Sequence, residues 1–124
     1  MPIELSLADS GKYQYVRVSG PITPEISHQI ALSTEAFADE TGVKSVLFDL
    51  RDSRNVSSVA ENYDLAYKEL EELGIKRSTK AALLLSPDDC SHDFVVIALR
   101  NAGYNARKFI DVVKAEEWLE ADAA

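Results

Sequence analysis

The 124-residue chain has a single cysteine, Cys90, which excludes an internal disulfide and any zinc or redox site built on paired cysteines. It has neither a P-loop nor a GxGxxG motif after a predicted strand, so the common nucleotide-binding signatures are absent. Basic residues are outnumbered, 13 against 21 acidic ones, and the formal net charge is −8. Repulsion from phosphates opposes binding to nucleic acid or anionic membranes, and we predict no nucleic-acid partner.

The N-terminal stretch MPIELSLADSGKY contains acidic residues and no long apolar run. We therefore predict neither a signal peptide nor a membrane span, and we expect a cytoplasmic protein. Hydrophobic residues make up 46% of the chain, enough for a substantial core, and the length is typical of one domain. We expect residues 1–124 to form a single domain.

Strand-like and helix-like segments alternate along the chain. The first two strands flank DSGK, a turn sequence, and should form an antiparallel hairpin. The later strands are separated by helices and should be parallel with right-handed crossovers. The predicted fold is α/β, with a mixed five-stranded sheet. The predicted strands cover residues 3–8, 12–20, 43–50, 80–86 and 106–112, and the predicted helices cover 23–42, 59–73, 86–103 and 115–121.

Helix ends can be predicted from short local motifs. Thr23 suits the N-cap of the first helix, and Gly42 suits its end. Ser58 and Glu61 have the spacing of a capping box for the second helix. That helix should bury one stripe of side chains, namely Val59, Tyr63, Ala66, Leu70 and Leu73.

The third helix has a similar start signal. Ser86 would be its cap, Pro87 its first residue, and Asp89 follows the cap by three residues. Its run FVVIAL (94–99) is apolar all round, more than one buried face requires. This run either covers a core or meets a partner or ligand.

Several segments together resemble the SpoIIAA-like (STAS-type) small proteins: YVRVSGPITPE, VLFDLRD, KAALLLSPDD and RKFIDVVKAEEWL. The resemblance covers nearly the whole chain and implies a SpoIIAA-like fold and a regulatory binding role. In the family's anti-sigma-factor antagonists, phosphorylation of a serine at the start of the helix after such a strand acts as a switch. The superfamily also has CRAL-TRIO lipid-binding domains as neighbours, which implies that apolar ligands are an alternative.

The two serines before the second helix have different interpretations. Ser58 is explained by the capping box with Glu61. Ser57 falls on the phospho-acceptor position that the resemblance implies, but Val56 stands where the antagonists have aspartate. A phosphate on Ser57 would meet the positive end of the helix and Arg54. Structural and regulatory interpretations of Ser57 both stay open.

Polar residues cluster at the predicted carboxyl ends of the parallel strands, where open α/β sheets favour ligand binding. If their side chains converge, they form a site for a ligand or partner. Alternatively, Arg51 and Asp52 pair with each other or with helix ends as solvated loop residues. The candidate residues are Asp49, Arg51, Asp52, Arg54, Ser57, Asp88 and His92.

No catalytic, cofactor or metal signature is present, and we predict a non-enzymatic protein without cofactors. Cys90 and His92 are two residues apart, so on a helix their side chains diverge and cannot form a nucleophilic pair. His28, His92 and the carboxylates do not have metal-ligand spacing.

We therefore predict a binding or regulatory module that acts on an unidentified protein partner, with a carrier or sensor of a small apolar ligand as the alternative. A closed apolar cavity beside the helices would favour the carrier. A convergent polar pocket with a perturbed His92 would favour an enzyme. Tyr13 and Tyr15 share one face of the second strand, which is a docking surface if no helix covers it. We also predict a homodimer.

Overall fold

The computed structural model describes residues 2–121, in which strands and helices alternate along the chain. One helix is interrupted by a π-helical turn, here called the π segment. The elements are β1 (Ile3–Leu7), β2 (Gln14–Ile22), α1 (Pro24–Thr41), β3 (Val46–Asn55), α2 (Val59–Asp64), the π segment (Leu65–Glu69), α3 (Leu70–Glu72), β4 (Ala81–Leu84), α4 (Asp93–Asn101), β5 (Ala106–Phe109) and α5 (Val112–Glu120).

The five strands form one sheet whose spatial order follows the chain, β1-β2-β3-β4-β5. β1 pairs with β2 in antiparallel orientation, while β2, β3, β4 and β5 are parallel to one another. Gly11 provides the left-handed residue (φ 73°) of the opening hairpin. The mixed five-stranded α/β fold predicted from the sequence is confirmed.

Each face of the sheet has its own hydrophobic core. The inner core lies between the sheet and the layer of α1, the π segment and α4, and it includes Val16, Val18, Leu50, Leu83 and Val95. The outer core is smaller and lies under α5; its buried residues are Tyr13, Leu47, Ala82, Leu84, Ala115 and Leu119. The face that carries Tyr13 and Tyr15 is thus covered in part by α5.

The predicted caps of the first two helices are present. The Thr23 hydroxyl accepts a hydrogen bond from the Ile26 N–H at 3.3 Å, and Gly42 ends α1 with φ 77°. Ser58 Oγ accepts from the Glu61 N–H at 3.1 Å, while Glu61 Oε1 accepts from the Ser58 N–H at 2.7 Å. These reciprocal bonds satisfy two of the N–H groups that a helix start leaves unpaired.

The predicted start of α4 is wrong. The helix begins at Asp93 instead of following Ser86, and residues 86–92 form a loop. Asp89 Oδ1 accepts from the Ser91 N–H at 2.8 Å in a local turn, and Ser86 Oγ donates to the Arg51 carbonyl at 3.2 Å. Both side chains therefore stabilise the loop and are not available to cap a helix.

The predicted buried stripe of the second helix is partly wrong. Val59 is 47% exposed, while Asn62, Ala66 and Leu70 are buried. The π segment adds a residue to one turn, so the residues of α3 are rotated about the helix axis relative to those of α2, and the buried stripe does not continue at regular spacing. Asn62 turns inward because its Oδ1 accepts a hydrogen bond from the Asn55 side chain at 3.1 Å.

Strand bounds also differ from those predicted. β3 runs to Asn55 instead of Leu50, because its last part pairs with Ser19–Ile22 of β2 after an irregularity in register. β5 ends at Phe109 and α5 begins at Val112, capped by Asp111, which accepts from the Val113 N–H at 2.9 Å. The residues from Asp49 to Arg54 are therefore strand residues and not a loop, and the irregularity in register interrupts the alternation of faces between Asp49 and Asp52.

Candidate functional site

An apolar cavity of about 180 Å³ lies in the inner core, between the sheet and the helices. Every helix of the inner layer contributes to its wall, as do β3, β4 and β5. Its larger apolar lining residues include Ile30, Leu50, Leu65, Leu70, Leu83 and Leu99.

Small side chains explain why this space is not filled. Ala31 and Ala38 of α1 face the cavity, and Ala81 and Ala106 line it from the first residues of β4 and β5. Each alanine lacks the three outer carbon atoms that a leucine would place there. Protein interiors otherwise hold few voids larger than a water molecule, so a cavity of this volume is an unusual feature of the core.

The two ends of the cavity differ in chemistry. Near the amino ends of the strands its lining includes the exposed Lys44 and Lys76, so the wall reaches the protein surface there. Towards the carboxyl ends of β2 and β3 it includes Asn55, together with His92 from the loop before α4. The body between these ends is lined mainly by aliphatic side chains.

His92 is 1% exposed and is one of the largest fully buried side chains. Neither ring nitrogen forms a hydrogen bond with residues 2–121; the nearest carboxylate oxygen, Asp89 Oδ2, lies 3.5 Å from Nε2, longer than a good hydrogen bond. Burial lowers the pKa of His92, although Asp89 and the Ser53 backbone act in the opposite direction. The imidazole is therefore held neutral at physiological pH, with one donor and one acceptor nitrogen.

Tyr104 supplies a second buried polar atom to the cavity wall. Its hydroxyl has no hydrogen-bond partner in the described part of the chain, and the Arg77 guanidinium carbon lies 5.0 Å from the centre of its ring. Burial raises the pKa of Tyr104, so the hydroxyl stays protonated. Tyr104 and His92 flank the two ends of α4.

A separate polar cluster lies on the outer face of the sheet, beside α5. Arg51 donates two hydrogen bonds to the Asp49 carboxylate, from Nε at 2.9 Å and from an Nη at 2.8 Å, and the Tyr15 hydroxyl donates a third. Burial alone raises the pKa of Asp49, but the bonds from Arg51 and Tyr15 outweigh it and lower the pKa to about 2. Asp49 is thus a buried, fully paired carboxylate.

Two further charged candidates do not join His92: Asp52 pairs with Arg17 at 2.6 Å on the outer face, and Asp88 is exposed in the loop before α4. Arg54 is also exposed, but its charge acts on His92 and, together with burial, lowers the pKa of the imidazole. The predicted polar site is therefore divided, with Asp49, Arg51 and Asp52 on the outer face and His92 in the inner cavity. The polar pocket that would favour an enzyme does not form from Arg51, Asp52 and His92.

Ser57 is half-buried beside the start of α2. Its hydroxyl lies 3.4 Å from the Ile22 carbonyl, and its N–H donates to Asn55 Oδ1 at 2.9 Å. The backbone N–H of Asn55 donates to Ser91 Oγ at 3.0 Å. The sequence analysis missed Asn55, although an asparagine at a strand end just before a helix cap is a known turn signal.

Cys90 and His92 lie in a loop and not on a helix as the prediction assumed; Cys90 is exposed, whereas His92 is buried in the core. Among residues 2–121, no three His, Cys, Asp or Glu side chains are close enough to hold a metal ion. In the same part of the chain, no helix is both long and apolar enough to cross a membrane.

Comparison with known proteins identifies the fold. No protein-family model matches the chain, and no curated protein matches it. It is similar to an uncharacterised DUF3478-family protein from Shewanella loihica PV-4 with a SpoIIAA-like fold, at 18% identity and TM-score 0.57, over 94% of this chain and 91% of that one.

Two structures of SpoIIAA are also similar. The unphosphorylated anti-sigma factor antagonist SpoIIAA matches at 11% identity and TM-score 0.54, over 96% of this chain and 99% of that one. The phosphorylated form of the Bacillus cell fate determinant SpoIIAA matches at 12% identity and TM-score 0.52, over 94% and 98%. The chain therefore has the SpoIIAA-like (STAS-type) fold that the sequence segments resemble.

Proposed function

From this SpoIIAA-like fold, we propose that the chain is a non-enzymatic STAS-type binding module, and that its inner cavity holds a small apolar molecule. The observation that carries the proposal is the cavity of about 180 Å³ with a mainly aliphatic wall. Volume and chemistry both support it.

The volume is suited to a small molecule. An apolar cavity of about 150 Å³ takes up benzene or xenon, and does so because its wall offers water few polar partners. Side chains that line an unfilled space lack the packing contacts of a filled core, so an occupant gains binding energy by restoring those contacts.

The direct test uses toluene as the probe and thermal unfolding as the measurement. A molecule that binds only the folded state raises its stability by RT ln(1 + [L]/Kd), about 2.7 kcal/mol at a hundredfold excess over Kd. We expect toluene to raise the unfolding midpoint of the wild-type chain. Ala31→Leu, which fills the cavity from α1, should abolish this increase while the variant stays folded.

The matched control is Ala36→Leu, the same substitution on the exposed side of the same helix. Ala36→Leu should keep the full toluene response. An equal response in both variants would show that toluene binds elsewhere, and the cavity would lose its proposed role.

A protein partner is the second candidate, favoured by exposed apolar side chains near the contact of α2 with α4. Val56, Val59, Phe94 and Ile97 are each about half exposed, although α2 and α4 pack on each other. SpoIIAA, which shares the fold, is an anti-sigma factor antagonist and so acts on another protein. The proposed partner site adjoins Ser57 and Arg54.

This candidate is tested by co-purification from native cells, followed by mass spectrometry. Charge reversal at Arg54, which is exposed beside the proposed site, should weaken capture of the partner more than Ser57→Ala does. We expect no stoichiometric phosphate on Ser57, since its hydroxyl is half-buried against the Ile22 carbonyl and Val56 adds no polar group. Stoichiometric phosphate there would instead support a phospho-switch.

A further inference from the structure

The cavity wall is apolar except at a few atoms, and those atoms indicate what the occupant carries. Buried polar groups in folded proteins are hydrogen-bonded in about 90% of cases or more. Within residues 2–121, neither nitrogen of His92 has a hydrogen bond of good geometry, although Asp89 and the Ser53 backbone lie close enough to act on its pKa. The side chain is 1% exposed and lines the cavity.

We infer that His92 forms a hydrogen bond with a hydroxyl group on the small apolar molecule held in the cavity. This inference rests on the proposed function. It adds the chemical class of the occupant, an apolar body of benzene-like size with one hydroxyl group at the His92 end.

A hydroxyl group matches the imidazole for a simple reason. Neutral imidazole offers one N–H donor and one nitrogen acceptor, and a hydroxyl can both donate and accept. Asp89 Oδ2, 3.5 Å from Nε2, does not change this match. Whichever tautomer the surroundings favour, the hydroxyl can complement the nitrogen that faces it.

The position of His92 also supports this role. It lies in the loop that joins β4 to α4, beside the carboxyl ends of the parallel strands. In open α/β sheets this edge is where ligands bind. Tyr104, the other cavity residue with an unpartnered polar atom, lies at the opposite edge, just before β5.

Phenol and toluene are suitable probes, because they have the same shape and differ by a hydroxyl in place of a methyl group. In a wholly apolar site toluene binds better, since burial of an unpaired hydroxyl is unfavourable. We expect the wild-type chain to bind phenol at least as tightly as toluene in calorimetric titrations. His92→Phe should weaken phenol binding by about tenfold, which corresponds to the upper end of the net free energy of one hydrogen bond. The same variant should bind toluene as tightly as the wild type or more tightly.

Tyr104→Phe is the matched control, because it removes only the other unpartnered hydroxyl. It should leave the ratio of phenol to toluene affinity unchanged. His92→Gln, which keeps a donor and an acceptor, should recover part of the phenol affinity.

A second readout needs no variant of His92. The chain has 2 histidines, and His28 is about half exposed on α1, 3.7 Å from Glu69. In proton NMR, phenol should shift the ring resonances of His92 and leave those of His28 in place, with His28→Gln used for assignment.

The outcomes separate this inference from the proposed function. If both probes bind and His92→Phe leaves their affinity ratio unchanged, the His92 contact is wrong, while the cavity function stands. The same holds if the ratio moves with Tyr104→Phe instead. If neither probe binds the wild-type chain in a solution nearly saturated with that probe, the cavity function fails and this inference fails with it.

Discussion

At the scale of single residues, Asn55 joins three parts of the chain. Its N–H donates to Ser91 Oγ, its Oδ1 accepts from the Ser57 N–H, and its Nδ2 donates to Asn62 Oδ1. The same residue lines the cavity near His92. An occupant of the cavity would therefore lie one side chain away from the start of α2.

Ser58 allows a direct measurement of one cap. We expect Ser58→Ala to lower the free energy of unfolding by about 1 kcal/mol, because it removes the oxygen that accepts the Glu61 N–H. In urea the midpoint should fall while the slope m stays the same. Ser57→Ala is the control, since its hydroxyl makes only a 3.4 Å contact, and its midpoint should hardly move. An unchanged midpoint for Ser58→Ala would contradict the energetic role of the cap.

His92 should make stability depend on pH. Burial lowers its pKa below the ordinary 6.5, so the unfolded chain takes up the proton first as the pH falls. The stability due to neutral His92 is complete above about pH 6.5 and is lost as the pH falls through the folded-state pKa. The charges that face the ring are Asp89, Asp93 and Arg54. The hydrogen bond from Ser91 lowers the pKa of Asp89, so this carboxylate stays ionised as the pH falls through this range.

The measurement compares variants by urea unfolding between pH 7.5 and pH 5. Wild type and His28→Gln should lose stability in parallel as the pH falls, whereas His92→Phe should lose less. If the stability of His92→Phe falls with pH as steeply as that of the wild type, the pH dependence comes from other groups.

At the scale of secondary-structure elements, α5 depends on a residue outside itself. Lys80, just before β4, donates from Nζ to the carbonyl groups of Trp118 at 2.9 Å and Ala121 at 3.1 Å. A helix leaves its last carbonyl groups unpaired, and a lysine there satisfies them and offsets the negative end of the helix. The Lys80 ammonium also lies 5.5 Å from the centre of the Trp118 ring.

We expect Lys80→Met to keep the fold and destabilise it by about 1–2 kcal/mol, because the apolar stem stays while the charged donor is lost. Hydrogen exchange should accelerate most in the amides of α5. Lys114→Met, on the exposed side of α5, is the control and should leave exchange unchanged. Uniform acceleration across all helices would mean that Lys80 contributes to global stability and not to α5.

The elements that could be predicted are those with local signals. Thr23 and Gly42 bound α1 through contacts a few residues away, and the apolar β3 and β4 are recognisable as interior strands. The start of α4 could not be predicted, because Ser86 and Asp89 have equally good partners in a loop. The π segment and the extension of β3 both depend on partners distant in sequence.

The candidate site was predicted only in part. His92 is among the predicted candidates, but its place in an apolar cavity depends on how Ala31, Ala81 and Ala106 leave space between three helices and the sheet. Spacing along one chain does not carry that information. The charged candidates were grouped by the ends of the strands, whereas Asp49 pairs with Tyr15 and Arg51 on the outer face and His92, in the loop before α4, lines the cavity of the inner core.

At the scale of the whole molecule, surface charge and exposed apolar side chains have opposite effects on self-association. A net charge of −8 keeps copies apart, while Phe94 and Ile97 leave an apolar strip on α4. The free sheet edge of β5 carries the exposed Arg107 and Lys108, which discourage edge-to-edge pairing. The helix layer is thus the better surface for a second copy.

We predict a homodimer at micromolar concentration that forms through this strip on α4. Sedimentation velocity should show a dimer for the wild type and a monomer for Ile97→Glu. Leu32→Glu, which replaces an exposed apolar residue of α1, should leave the dimer intact. Monomer alone for the wild type at high concentration would refute the prediction.

The packing of α5 on the outer face has a consequence for the nascent chain on the ribosome. Strands β2, β3, β4 and β5 join the sheet in the order in which they are synthesised, so the inner layer can assemble progressively. The outer core is different, because the Tyr13 hydroxyl finds Glu116, 2.7 Å away, only after 103 further residues have been added. Until α5 emerges, Leu47 and Leu84 stay open to solvent, and this is the interval in which a chaperone would have the most to protect.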